Sequence, residues 1–266
     1  MTTEIDRKDD PRTVNDLMNA TLIENDENIY WHALTALHFR GTKEVLVRAE
    51  ELCASRCVEE RMIGADILGQ LGVPDRTFPR ESSRILRSLL KHDQVAGVLK
   101  SALIGLSHHD DADAVPLALS FSTHPDPEVR YAAVLALTGY ENPLAIETLI
   151  ELSNDPIAHV RDWATFALGA QIDLDTPEIR DALARRLEDV DSEPRAEALK
   201  GLSRRNDGRV IEALKRELAA PCIDVAAIEA SETIGSKELH PYLIALRRRS
   251  DINSELLEQA IVASQQ

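Results

Sequence analysis

The sequence has few aromatic residues and no long apolar run. Phe, Trp and Tyr together make up 4% of its 266 residues, whereas hydrophobic residues make up 44%. A core with so few rings must be built mainly from Leu, Ala, Ile and Val, which suits closely packed helices. No run approaches the roughly 18 apolar residues of a membrane-spanning helix, so no membrane span is expected.

Positive charge is also scarce. Lys and Arg number 30 against 46 Asp and Glu, which gives a formal net charge of −16. Proteins bind nucleic acids chiefly by neutralising phosphates with Lys and Arg, so the charge argues against a nucleic-acid partner. A basic protein partner suits this charge better.

The common catalytic signatures are missing. No G-x-G-x-x-G, P-loop, G-x-S-x-G or H-E-x-x-H pattern occurs. Neither a catalytic residue, a cofactor nor a metal is therefore expected. The acidic loop His108–Asp113 could in principle hold a metal, but a solvated loop is the preferred interpretation. The three cysteines, Cys53, Cys57 and Cys222, are interpreted as reduced thiols because their number is odd.

The N-terminal segment is charged and nearly devoid of apolar residues. Residues 1–12 include Glu4, Asp6, Asp9 and Asp10, and they are predicted to be disordered. The segment lacks the apolar region of a secretory signal, which predicts a cytoplasmic protein.

A repeated helical pattern is what the sequence does contain. The stretch Asp126–Leu137 reads D-P-E-V-R-Y-A-A-V-L-A-L, and its Arg130 is matched by Arg161, 31 positions later. The acidic residue and proline that open the first copy are typical of a helix N-terminus, and they recur as Asp155-Pro156. A period near 30 residues predicts a solenoid of stacked helix pairs.

The repeat extends along most of the chain in eight units. The column of Ala133 holds a small residue in seven of its eight positions. Its members are Ala33, Gly64, Leu99, Ala133, Ala164, Ala198, Ala230 and Ala260. Small side chains at this spacing let neighbouring helices approach closely. We therefore predict one continuous domain over residues 13–266, with the helix pairs beginning near residue 14.

This pattern resembles the short HEAT-like repeats, including the bacterial type named after phycobilisome lyases. The resemblance implies a right-handed all-α superhelix of about eight helix pairs. It also implies that Asp126, Arg130, Asp155 and Arg161 form a structural polar ladder between repeats. Activity does not follow from it, because adaptors, inhibitors, lyases, hydroxylases and glycosylases share the fold.

Three enzymes of this fold are the alternatives to a binding protein. A deoxyhypusine hydroxylase is excluded because none of the eight histidines is followed by Glu. An alkylpurine DNA glycosylase is disfavoured by the net charge, and Trp163, next to Asp162, is expected to point towards the core. A bilin lyase stays open as a lesser alternative, since only the repeats support it.

The second helix of each pair is expected to line the concave face. Its outward columns are taken to be those of Tyr131, Val134, Leu135 and Thr138. The candidate protein-binding residues on them are Trp31, His38, Met62, Asp66, Tyr131, Asp162, Phe166 and Glu232, with Leu34 and Val134 in the same columns. Aromatic residues among carboxylates are typical of a protein-binding surface. The function predicted is a non-catalytic scaffold, either an adaptor or an immunity-type inhibitor, with a basic partner.

Overall fold

A computed structural model describes residues 10–23, 26–249 and 251–265, and within them lie sixteen α-helices and no strand. The first eight are α1 (Val14–Ile23), α2 (Glu27–Arg40), α3 (Lys43–Cys53), α4 (Val58–Gly69), α5 (Pro79–His92), α6 (Ala96–Ser107), α7 (Val115–Ser120) and α8 (Pro127–Leu137). The others are α9 (Pro143–Leu152), α10 (Ala158–Phe166), α11 (Pro177–Arg186), α12 (Ser192–Arg204), α13 (Val210–Leu218), α14 (Val225–Ile234), α15 (His240–Leu246) and α16 (Ser254–Ala263). The predicted all-α class with eight helix pairs is confirmed.

Helix starts follow the capping chemistry of the sequence. The Asp26 carboxylate accepts hydrogen bonds from the backbone N–H groups of Asn28 and Ile29, and so begins α2. The side chains of Thr42 and Asn142 cap α3 and α9 in the same way. These oxygens satisfy backbone donors that have no partner inside the helix. Two of the short first helices, α7 and α15, follow a 3-10 turn (Ala112–Ala114 and Lys237–Leu239).

The chain forms two compact units, Met1–Leu137 and Thr138–Gln266. In each unit the even-numbered helices pack both on their own first helix and on the even-numbered helix of the next pair. The interior is mainly Leu and Ala, and Ala133 and Ala164 are both completely buried, as their column predicts. The extension of one continuous domain over residues 13–266 stays a prediction.

Each unit contains one very close approach of two glycines on neighbouring second helices. A Cβ atom at Gly69 of α4 would lie 2.7 Å from the Cα atom of Gly105 on α6. A Cβ atom at Gly201 of α12 would likewise lie 2.8 Å from the Cα atom of Gly169, in the π-helical turn Ala167–Gln171 that continues α10. Backbones can be this close only without side chains between them, so these glycines serve packing.

The last three residues of the N-terminal segment 1–12, for which disorder stays a prediction, make hydrogen bonds to the rest of the chain. Residues 1–9 of the predicted disordered segment lie outside the described residues. Residues 10–12 are held by Arg40, whose Nη2 donates to the carbonyl oxygens of Asp10 and Arg12, each at 2.7 Å. Asp10 also forms an ion pair with Arg12 at 2.7 Å. Arginine hydrogen bonds to backbone oxygens thus offset the ordering entropy of this short stretch.

Candidate functional site

The arginine column has a structural role, as the resemblance implies. Four of its members donate from Nη1 to the carbonyl oxygen six residues earlier, at 2.8 to 3.1 Å. They are Arg61, Arg130, Arg161 and Arg195. Arg161 of α10 also reaches the next repeat, where it donates to Asp189 at 2.9 Å and to Asp191 at 2.6 Å. A buried arginine with this many partners holds repeats together, so it is not available to a ligand.

In the first unit, one carboxylate of the predicted binding surface already accepts hydrogen bonds from side chains of the same unit. Asp66 of α4 is half-buried, and burial raises its pKa. Its carboxylate accepts a hydrogen bond from Ser101 and a long one of 3.5 Å from the Tyr30 hydroxyl. Burial, together with Asp66, raises the pKa of Tyr30 to about 12. Asp66 therefore joins three successive second helices, α2, α4 and α6.

An aromatic pair on α2 includes the Tyr30 ring that contacts Asp66. Trp31 is 54% exposed, stands edge-on to Tyr30 at 5.2 Å, and donates from its indole nitrogen to Glu27. Met62 and Tyr131 are half-buried on α4 and α8. These residues lie on second helices as predicted, and whether they bind a partner stays a prediction.

His38 does not lie on the accessible surface, contrary to the prediction. Its side chain is only 8% exposed, and its Nε2 donates to the carbonyl oxygen of Asp66 at 2.9 Å. Leu34 and Val134 are also buried. The column of Val134 was taken as outward, but it faces the neighbouring helix, because these residues lie beside the small-residue column that forms the contact.

A second histidine makes a similar contact, which corrects the interpretation of the 108–113 loop as solvated for His109, whereas Asp110 and Asp113 are exposed. His109 is buried, and its Nε2 donates to the carbonyl oxygen of Leu68 at 3.1 Å. Both histidines thus serve carbonyls in the last turn of α4, which lack partners within the helix. Burial lowers the pKa of His38 to about 4 and also lowers the pKa of His109.

In the second unit, the predicted carboxylate lies among other carboxylates. Asp162 of α10 is half-buried, and its pKa is raised to about 6, first by burial and then by Glu197 and Glu193 of α12. Lys200 and His159 act in the opposite direction. Lys200 forms an ion pair with Glu197. Three carboxylates therefore meet one ammonium group here, and the excess negative charge costs folding free energy.

Two aromatic side chains lie on the same helix as Asp162. Trp163 and Phe166 meet edge to face, with ring centroids 5.6 Å apart. The expectation that Trp163 points to the core is wrong, because it is 37% exposed. Its counterpart Ala132 is completely buried. An indole is too large for a column where helices touch, which explains why it turns to the surface.

Glu193 and Glu197 are functional candidates that the sequence reasoning missed. Glu197 stands in the Ala132 column, which is buried at Val98 and Ala132 but accessible at Trp163 and Glu229. The bulky or polar residues of this column in the last four units were a signal that it is accessible there, as it also is at His32 in the first unit. Glu232, the remaining predicted residue, is half-buried on α14. We call the set Asp162, Trp163, Phe166, Glu193 and Glu197 the α10–α12 surface.

The described ranges contain neither a cluster of metal-ligating side chains nor a helix suited to a membrane. In these ranges, no three His, Cys, Asp or Glu side chains converge on a possible metal position. No helix among residues 10–23, 26–249 and 251–265 combines the length and apolar character that a membrane crossing requires. Cys53, Cys57 and Cys222 are free thiols, and burial raises the pKa of Cys53 to about 12.

Comparison with known proteins assigns the family. The family model described as HEAT repeats matches residues 83–169. Protein YibA of Escherichia coli K12 is 31% identical over 235 residues, which cover 85% of this chain and 81% of YibA. The chain belongs to the YibA family of HEAT-repeat proteins. The X-ray structure of E. coli YibA superposes with a TM-score of 0.79 and 25% identity, covering 100% of this chain and 98% of YibA.

A designed protein shares the architecture of this YibA relative. The crystal structure of an engineered protein gives a TM-score of 0.54 at 19% identity, covering 93% of this chain and 76% of that one. At this identity the likeness concerns the fold alone. An α-solenoid built from HEAT repeats is thus established for the chain, independently of any activity.

Proposed function

We propose that this YibA relative is a non-catalytic scaffold that binds a basic protein through the second helices of its repeats. The chain acts either as an adaptor or as an immunity-type inhibitor of that partner, and binding takes place in the cytoplasm. We also propose that its repeats are of the phycobilisome-lyase type, because the sequence pattern resembles that type.

The observation that carries the proposal is the position of Asp162. The chain keeps this carboxylate half-buried beside Glu193 and Glu197, although burial and these neighbours raise its pKa to about 6. Like charges placed together destabilise the free protein and stabilise a complex with a cation. A positively charged partner would relieve this repulsion, whereas an acidic one would increase it.

The overall charge acts in the same direction. A net charge of −16 creates an electric field that attracts a basic protein. At physiological salt this attraction is largely screened beyond about 8 Å, so it should depend on the salt concentration. The aromatic residues Trp163 and Phe166 supply the desolvated contacts that commonly carry binding energy. Carboxylates should then control the association rate, and rings the dissociation rate.

The test compares two charge-matched triple variants. The first neutralises the α10–α12 surface (Asp162→Asn, Glu193→Gln, Glu197→Gln), and the second neutralises first helices of the same unit (Glu147→Gln, Glu151→Gln, Glu178→Gln). Proteins that co-purify with the unchanged chain from its native cells are identified and purified. Their association and dissociation rates are then measured against salt with all three chains.

We expect a partner with excess Lys and Arg whose association rate falls at least threefold in the first variant only. An acidic partner, or a basic one that binds both variants equally well, would contradict the proposal. Stoichiometric turnover of a substrate by the purified chain would contradict its non-catalytic part.

A further inference from the structure

The α10–α12 surface combines the two features that a guanidinium group needs. Asp162 and Phe166 are four residues apart on α10, so their side chains lie on the same face of the helix. Glu193 and Glu197 have the same spacing on α12, which packs directly against α10. Carboxylates and an aromatic ring therefore lie on two helices that pack against each other in successive repeats.

Charged groups on two helices act on Asp162. His159 comes from its own helix, and Glu193, Glu197 and Lys200 come from α12. Lys200 lies three residues from Glu197 on the same helix and is paired with it. The three carboxylates outnumber Lys200 and His159, so this surface attracts a further cation.

The same two repeats already show how an arginine bridges them. The Arg161 guanidinium of α10 donates to Asp189 and Asp191, which precede α12, at 2.6 to 2.9 Å. The distance between α10 and α12 thus allows one planar guanidinium to bind carboxylates of the adjacent repeat. Asp162 is the residue after Arg161, on the more accessible side of α10.

We propose that the α10–α12 surface binds an arginine side chain of the basic partner, with the guanidinium between Asp162 and Glu197 and against the ring of Phe166. Guanidinium is planar, so it donates two parallel hydrogen bonds to carboxylates and stacks on aromatic rings. An ammonium group is not planar and makes both contacts less well. This inference rests on the proposed function, because it names the group by which the basic partner is recognised.

The chain contains one tryptophan in each unit, which gives the experiment its internal control. In a Trp31→Phe chain, Trp163 is the only tryptophan and reports on the α10–α12 surface. In a Trp163→Phe chain, Trp31 reports on the first unit. Fluorescence of both chains is titrated with hexa-arginine and with hexa-lysine at low salt and pH 7, so that the two probes carry the same number of charges.

We expect hexa-arginine to change Trp163 fluorescence saturably and to bind several-fold more tightly than hexa-lysine, with a smaller response from Trp31. Asp162→Asn should weaken the hexa-arginine response about tenfold, as expected for loss of one charged hydrogen-bond partner. Binding to the unchanged surface should weaken between pH 7 and pH 5 as Asp162 takes up a proton. The Asp162→Asn chain should lose that part of the pH dependence.

The role of the ring is tested with Phe166→Leu, which keeps an apolar side chain and removes the stacking surface. Circular dichroism checks that each variant is folded. Equal affinity for the two probes, or an unchanged response in Asp162→Asn, would overturn the arginine site. If the native basic partner still binds in that case, the proposed function stands without the site, and if no basic protein binds, both fail.

Discussion

Asp66 in the first unit and Asp162 in the second are both half-buried on second helices, yet their surroundings differ. Asp66 accepts hydrogen bonds from Tyr30 and Ser101, whereas Asp162 lies near Glu193 and Glu197. Burial raises the pKa of both carboxyl groups. Hydrogen-bond donors therefore offset part of the cost of burial at the first carboxylate, whereas neighbouring carboxylates add to that cost at the second, which is characteristic of binding sites.

The units also differ in how the ends of their second helices are satisfied. The last turn of α4 receives hydrogen bonds from His38 and His109. The turn after α10 receives them from Arg205, whose Nη2 donates to Leu168 and Ile172 at 2.8 Å. Histidine changes charge in the physiological range and arginine does not. The first unit should thus be more sensitive to acid.

The largest expected effect tests whether both units share one packing scheme. Ala133→Asp in the first unit and Ala164→Asp in the second should each reduce the free energy of unfolding by more than about 3 kcal/mol, because a charge is forced between touching helices. Urea unfolding followed by circular dichroism measures this. Glu128→Ala, at the partly exposed ion pair with Lys100, is the control and should cost less than about 1 kcal/mol. Equal stabilities of all three variants would show that the repeat register is wrong.

A smaller effect tests the acid sensitivity of the first unit. The pKa of His38 is about 4 in the folded chain and 6.5 for an ordinary histidine, so the unfolded chain binds more protons between these values. The stabilising contribution of neutral His38 is complete above pH 6.5 and is lost as the pH falls towards 4. His38 alone should lower the free energy of unfolding by about 2 kcal/mol on going from pH 7 to pH 5.

Unfolding of a Trp163→Phe chain, followed by Trp31 fluorescence in urea at both pH values, measures this loss. His38→Gln keeps a donor for the carbonyl oxygen of Asp66 and should reduce the loss, since glutamine does not titrate. A loss of equal size in the His38→Gln chain would assign the acid sensitivity to other groups.

The smallest expected effect separates the two carboxylates directly. Asp162→Ala should raise the free energy of unfolding by about 1 kcal/mol at pH 7, a value reduced by solvent screening at this half-exposed position. Because the folded pKa of about 6 exceeds the ordinary value of 3.8, this gain should disappear as the pH falls to 4. Asp66→Ala should instead lower the free energy of unfolding by about 1 kcal/mol, since Tyr30 and Ser101 lose their acceptor.

Both substitutions replace a helical Asp by Ala, so helix propensity contributes equally to them. Chemical unfolding of the two variants at pH 7 and pH 4 is sufficient. The same sign of the stability change for both at pH 7 would remove the distinction between an occupied and an available carboxylate.

The amino-acid sequence by itself determined the local structure. Helix ends follow from side chains that cap their own backbone, such as Asp26 and Thr42, and from prolines at first turns, such as Pro127 and Pro177. The small-residue column at Ala133 and Ala164 predicted which stripe is buried. Such signals act over a few residues, so they can be read without knowing the neighbours.

Only the tertiary structure decided which outward columns are accessible and what each charge meets. His38 was predicted on the surface but is buried against α4, and Trp163 was predicted in the core but is exposed. Glu197 became visible as a neighbour of Asp162 only once α12 was placed on α10. The rotation of each helix about its axis depends on the side-chain volumes of both repeats that meet, as at the close pair Gly169 and Gly201. A sequence column that is examined one repeat at a time does not contain this information.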